Sequence, residues 1–135
     1  LGAAAQAIGI AQGATDYANG YAKERIQFGR PIHEHQAIGF KLAEMEARTA
    51  AARELTYRAS AAADRNEPGL GKWTSMAKLI AADKGCDVVD RCVQFFGGYG
   101  YMMEYPIARA YAAARVNKIY GGTSEIMKEI ISRSL

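Results

Sequence analysis

The chain has 135 residues and a mass of 14.6 kDa, half of it hydrophobic, so it has the size of one domain with a real core. Its ordinary charged fraction excludes wholesale disorder, and no apolar run nears the roughly 18 residues of a membrane span. The net charge of +3 comes from Lys and Arg interspersed with Asp and Glu, which describes a solvated surface better than a nucleic-acid footprint.

The opening Leu1-Gly2-Ala3-Ala4-Ala5 lacks Met and reads as the inside of a helix in a longer protein. No basic stretch leads into an apolar one, so no signal peptide is read there. A first helix is expected over residues 1–26, alanine-rich, with Ile8, Ile10, Tyr17 and Tyr21 as its larger apolar side chains. Phe28-Gly29-Arg30-Pro31 ends it, because proline disfavours helix in the residue before it.

The second helix, over 34–64, has the clearest period. Ile38, Leu42, Met45, Thr49, Ala52, Leu55, Ala59 and Ala62 step by fours and threes along one stripe. Asn66-Glu67-Pro68-Gly69-Leu70-Gly71 is a loop. The third helix, over 72–96, presents Met76, Leu79, Ala82, Cys86, Val89, Val93 and Phe96, and stops at Gly97-Gly98. A glycine- and aromatic-rich segment leads to Pro106, and a shorter helix follows over 107–116. The last helix starts near Thr123-Ser124-Glu125, with hydroxyl caps, and turns Ile126, Met127, Ile130 and Ile131 to the core. No strand is expected. The fold class is therefore all-α, an antiparallel four-helix bundle with short additional C-terminal helices, over one domain of residues 1–135.

Cys86 and Cys92 lie six apart on a helix, rotated by about 600° and roughly 9 Å apart along the axis, so they cannot pair. They are expected as buried free thiols. His33 and His35 alternate in a loop without a Cys partner and read as solvent-facing turn histidines rather than a metal site. Trp73 is expected to pack at the start of the third helix. No Ser sits in a GxSxG elbow, and neither Cys has a His partner.

Three stretches exceed what a bundle needs. In Glu24-Arg25-Ile26-Gln27-Phe28-Gly29-Arg30-Pro31, an arginine beside an aromatic and a tight turn can hold a phosphate or a planar ring, though taken singly it also reads as a helix-end cation favoured by the dipole. In Gln94-Phe95-Phe96-Gly97-Gly98-Tyr99-Gly100-Tyr101, glycines admit close approach of a ligand. This is no Rossmann fingerprint, since Met103 replaces the third glycine and a helix precedes it. In Tyr120-Gly121-Gly122-Thr123-Ser124-Glu125, paired glycines opening a capped helix offer free backbone N–H groups to an anion or a ring edge, though taken singly they also read as an ordinary turn and N-cap.

These stretches, in this order, resemble the C-terminal domain of acyl-CoA dehydrogenases. The resemblance runs from Leu1 to Leu135, anchored at 21–29, at Gln36 with Phe40-Lys41-Leu42-Ala43, at 94–101 through Glu104, Pro106 and Arg109, and at 119–126. It implies a three-domain enzyme in which FAD lies between a middle β domain and this bundle and reaches a neighbouring subunit. Arg25 and Phe28, joined by Gln36, would contact the FAD pyrophosphate and adenosine side from the adjacent protomer. Gln94, Gly97 and Gly98 would supply the matching cradle, and Thr123, Ser124 and Glu125 would lie along the cofactor. Tyr120 and Gly122 would border the acyl thioester.

The implied reaction is α,β-dehydrogenation of an acyl-CoA: a carboxylate removes the α-proton, the β-hydrogen leaves as hydride to FAD, and electrons pass to an electron-transferring flavoprotein. Many members carry a Glu base where this chain has Gly121, which can accept no proton. Members resembling long-chain and isovaleryl enzymes place that Glu on the first helix, which here puts the base just upstream of Leu1. Ala112-Ala113-Ala114 before Arg115 replaces a common Arg-Asp pair. The expectation is thus an enzyme of a long or branched acyl-CoA, homotetrameric or homodimeric, inactive as this piece alone. It would be cytoplasmic if bacterial and in the mitochondrial matrix if eukaryotic. A rival reading is a non-catalytic oligomerisation or nucleic-acid-binding module on the same scaffold, and an oxidase or nitroalkane-type relative is a further one.

Overall fold

The computed structural model describes all 135 residues. Three long helices, α1 (Gly2–Glu24), α2 (Gln36–Asp64) and α3 (Leu70–Phe96), are followed by the shorter α4 (Pro106–Val116) and α5 (Ser124–Ser132). The five pack as an all-α bundle. Side chains fix the directions: Arg91 of α3 reaches Glu44 and Trp73 meets Arg58, so α2 and α3 run antiparallel. Gly85 lies against Ala7 and Phe96 against Tyr17 and Tyr21, so α1 and α3 run parallel. No helix is long and apolar enough to cross a membrane.

Alanine sets the spacing. One core cluster consists of Ala4, Ala7, Ile8, Ala52, Ala59, Ala77 and Ala81, so helices there meet with little more than methyl groups between them. A Cβ placed on Gly85 would come within 3.2 Å of the Ala7 carbonyl oxygen, leaving no room for a side chain. The other cluster holds the larger groups, among them Met45, Val88, Val89, Cys92, Phe96 and Ile107.

α3 is the axis, in contact with all four other helices. Its buried set (Ala77, Ala81, Gly85, Val88, Val89, Cys92 and others) forms one broad face, and of the expected stripe Ala82, Val89 and Phe96 are buried while Met76, Leu79, Cys86 and Val93 are half buried. On α2 the expected stripe holds at Met45, Thr49, Ala52, Ala59 and Ala62, and Thr56 joins it. Thr15 and Thr56 are tolerated in the core because each hydroxyl donates to the carbonyl one turn back, at 2.9 Å. On α5 only Met127 of the expected face is buried; Ile126 and Ile130 point outward.

A strand pair does exist, contrary to expectation. Ile26–Gln27 (β1) and Arg30–Pro31 (β2) pair antiparallel around Phe28 and Gly29, which have φ of +53 and +79. Positive φ at both central residues is the two-residue hairpin turn whose twist suits the strands. The histidines are not free turn residues either. His35 lies 3.1 Å from the Gln27 carbonyl oxygen and 3.2 Å from Arg30 Nη2, which can only donate; Nδ1 therefore accepts and Nε2–H donates to Gln27. His33 is half buried.

Glu67 clamps the α2–α3 turn, accepting from Arg58 and Arg65 at 2.7 Å each, while the Arg58 guanidinium covers the Trp73 ring at 4.5 Å. Arg58 first, then Arg65, hold the Glu67 carboxyl below its ordinary value of 4.5. A depressed folded-state value stabilises above the unfolded one and is lost as pH falls through the folded one. The Tm gap between wild type and Glu67→Gln should therefore be present at neutral pH and close as pH drops below 4.5, in a calorimetric pH series. Gly85→Val should cost roughly 1–3 kcal/mol in urea unfolding, because α1 and α3 cannot separate to admit it.

Candidate functional site

The residues singled out from the sequence fall at two ends of the bundle. At one end, α1 finishes on Arg25, in extended conformation, and the hairpin begins. The tip residue Phe28 is 93% exposed. A bulky residue at positive φ that packs against little else is a strained display, and such outliers cluster at binding sites. It is held in place by His35, whose ring meets Phe28 edge-on at 6.1 Å. Gln36 opens α2 directly behind, exposed.

The second stretch shares this end. Phe96 stacks on Tyr21 at 4.1 Å and on Tyr17 at 4.9 Å, tying the last turn of α3 to the last turns of α1. Arg25 lies over the Tyr99 ring, 6.0 Å from its centroid, and Tyr99 stacks on Tyr105 at 5.0 Å. Gln94, Gly97 and Gly98 are exposed beside them. A Cβ on Gly98 would meet nothing within 4 Å, and its φ is not positive, so the chain's own packing does not demand glycine there.

The third stretch lies at the far end, against the first turn of α1. A helix from Ala3 to Arg25 separates the two ends by about 33 Å. Gly121 and Gly122 have φ of +62 and +96. A Cβ on Gly122 would come within 2.5 Å of Met127 Cε, while one on Gly121 would touch Ala3 Cβ at 3.7 Å. The Tyr120 hydroxyl reaches Asn117 Oδ1 at 2.7 Å and Gln6 Oε1. Lys78, from the middle of α3, donates to the Gly122 carbonyl. Burial pushes the Lys78 ammonium below its ordinary value, against the opposing pull of Asp83 and Glu125.

Thr123 caps α5, its hydroxyl accepting from Ile126 N–H at 3.3 Å. Glu125 is exposed, and its own backbone N–H, then the Thr123 hydroxyl, hold its carboxyl low. Ser124, expected along the cofactor, instead faces inward: it is buried and donates to Asp83 at 2.9 Å. Asp83 also pairs with Lys118 at 3.6 Å. The backbone N–H groups of Gly121, Gly122 and Thr123 have no acceptor in the chain. Gln6, Lys78, Asp83 and Asn117 thus hold the loop. None was legible in the sequence, because each acts on a partner more than a helical turn away or on backbone far along the chain, except Asn117, three residues from Tyr120.

The thiols supply no nucleophile. Burial raises Cys86, which lies 3.0 Å from the Ala114 carbonyl oxygen, and pushes Cys92 up to about 11.

Fold and loops together define a helical domain with glycine- and aromatic-rich breaks at its two ends. The family model "Acyl-CoA dehydrogenase, C-terminal domain" matches residues 1–135, and the chain belongs to that family. It is 50% identical over 137 residues to an acyl-CoA dehydrogenase of Bacillus subtilis, covering 100% of this chain and 35% of the relative. It is 45% identical over 135 residues to the caffeyl-CoA reductase-Etf complex subunit CarC of Acetobacterium woodii, covering 100% of this chain and 35% of that one. Butyryl-CoA dehydrogenase of Megasphaera elsdenii superposes with a TM-score of 0.95 at 41% identity, over 98% of this chain and 34% of that structure. The FAD complex of PigA superposes with a TM-score of 0.91 at 27% identity, over 97% of this chain and 34% of that structure. The chain spans about a third of the length of these relatives.

Removing the cap hydroxyl should loosen the start of α5. Thr123→Ala is expected to lose about 1 kcal/mol in chemical denaturation, with an unchanged m-value.

Proposed function

We propose that this domain serves an FAD-dependent oxidoreductase that interconverts saturated and α,β-unsaturated acyl-CoA thioesters. The observation that carries the reading is the Tyr120–Thr123 loop: three unpaired N–H groups beside two left-handed glycines, set against the first turn of α1. Unpaired donors in a glycine turn suit a thioester oxygen or the edge of a flat ring.

Bound FAD would supply the two-electron chemistry, accepting hydride from the β-carbon in the dehydrogenase direction. The chain's own residues bind and orient. At one end Arg25 offers charge-assisted bonds to a pyrophosphate, Phe28 a flat face, and Gln36, Gln94, Gly97 and Gly98 polar edges and room. At the other, Tyr120 and Gly122 border the thioester, and Thr123 and Glu125 lie along the cofactor. Ends about 33 Å apart cannot both grip the same adenosine and the same thioester, so each flavin would be shared between protomers of a homodimer or homotetramer. The Acetobacterium protein's name places it in an Etf complex, which supports an electron-transferring flavoprotein as the redox partner here.

Gly121 supplies no base. Its missing side chain would stand 3.7 Å from Ala3 Cβ, and with α1 continued upstream the residue four before Ala3 would lie on the same face. A Glu at that position, just upstream of Leu1, would stand beside the vacant Gly121 position, which is the arrangement proposed. The Tyr120-Gly121-Gly122-Thr123 run supports a long or branched acyl chain, whereas the names of the relatives above carry butyryl and caffeyl groups.

Titrating the full-length protein with butyryl-, isovaleryl- and palmitoyl-CoA while following flavin absorbance decides among these. Bleaching is expected, fastest with the isovaleryl or palmitoyl thioester, and abolished when the upstream Glu is changed to Gln. Fastest bleaching with butyryl-CoA would overturn the chain-length reading, and no bleaching with any thioester would overturn the function.

A further inference from the structure

The middle of α3 carries a lysine where the core of a helix bundle ordinarily carries an apolar group. Lys78 is 4% exposed, between buried Ser75, Ala77, Ala81 and Ala82. An ammonium in that setting gives up its water, and a Met of similar length would fill the same space without that loss. Its hydrogen-bond partner is no carboxylate. It is the Gly122 carbonyl oxygen, 2.5 Å away and 44 residues along the chain, while Asp83 and Glu125 act only through longer-range attraction.

The peptide group after Gly122 is trans and planar, so the Thr123 N–H points opposite to that carbonyl. Drawing the carbonyl inward onto Lys78 turns the N–H outward, away from the core. Two glycines in succession have no side chain to hold the plane, and the backbone there could rotate at small cost. The Tyr120 hydroxyl fixes the residue before them and Thr123 the residue after, which leaves Lys78 as the grip on the glycines themselves.

We infer that Lys78 is a positioning residue: its hold on the Gly122 carbonyl aims the unpaired Thr123 N–H of the Gly121–Thr123 loop at the bound acyl-CoA. This rests on the acyl-CoA reading above. Lys78 itself touches no substrate and acts through the loop.

The test compares Lys78→Met and Lys78→Arg with wild type in the full-length flavoprotein, using whichever of the three thioesters bleaches wild type fastest. Lys78→Met should keep its FAD and a Tm close to wild type, because relief of a buried charge offsets the Gly122 carbonyl left without its donor. Its kcat should fall roughly ten- to a hundredfold with KM little changed, the signature of a misaimed rather than a weakened site. Amide exchange at 121–123 should accelerate while that of α3 stays put, and Lys78→Arg should restore part of kcat. A Lys78→Met protein with wild-type kcat, or one that loses FAD and Tm together with activity, overturns the inference and leaves the acyl-CoA reading standing. A wild type that holds FAD but bleaches with none of the thioesters removes that reading, and this inference with it.

Discussion

The structure depends on the broad buried face of α3, which runs from Ser75 to Phe96. Every other helix packs on it, and Ala77, Ala81, Gly85 and Val88 keep those helices close enough that polar side chains reaching out of α3 have fixed targets. Tight packing transmits position, because a core at crystal-like density cannot let one helix slide without moving its neighbours. At its end, Phe96 stacks on Tyr21 and so fixes where α1 stops and the hairpin begins. In its middle, Lys78 and Asp83 take hold of Gly122 and Ser124. One helix thus sets both ends of the bundle.

The two ends differ in how they are built. The hairpin end is a display: Phe28 stands in solvent at a backbone angle that suits glycine, braced by a histidine whose tautomer is dictated by Arg30. The loop end is a clamp: left-handed glycines are pinned by a buried ammonium, a tyrosine hydroxyl and a helix cap, with N–H groups left over. An exposed aromatic and unpaired donors are costs to an isolated domain, and they make sense where a ligand and a neighbouring subunit complete them.

Helix existence was legible because alanine-rich periodic segments separated by Pro68-Gly69 and Gly97-Gly98 leave little choice; boundaries moved by no more than two residues. The core faces were less legible. The stripe served α2, and on α3 it held at Ala82, Val89 and Phe96 but ran to one side of a buried face centred on Ala81, Gly85 and Cys92. On α5 it held only at Met127, since Ile126 and Ile130 form an apolar face that nothing in this chain covers. The hairpin escaped notice because Phe-Gly is a poor signal for a turn that usually takes Asn-Gly or Asp-Gly. The three unusual stretches were readable as excess glycine and aromatic residues, and the family match over residues 1–135 agrees with the resemblance they carried. The side chains that hold them were not: a lysine within a helix reads as solvated until its carbonyl partner 44 residues away is seen.

The central claim is that the breaks between these helices exist to grip a flavin shared with the rest of a larger oligomer. The visible absorption spectrum of the purified full-length protein, with the flavin released and quantified, tests it most directly. The account requires a yellow protein carrying stoichiometric FAD. A colourless protein that takes up no added FAD would contradict it.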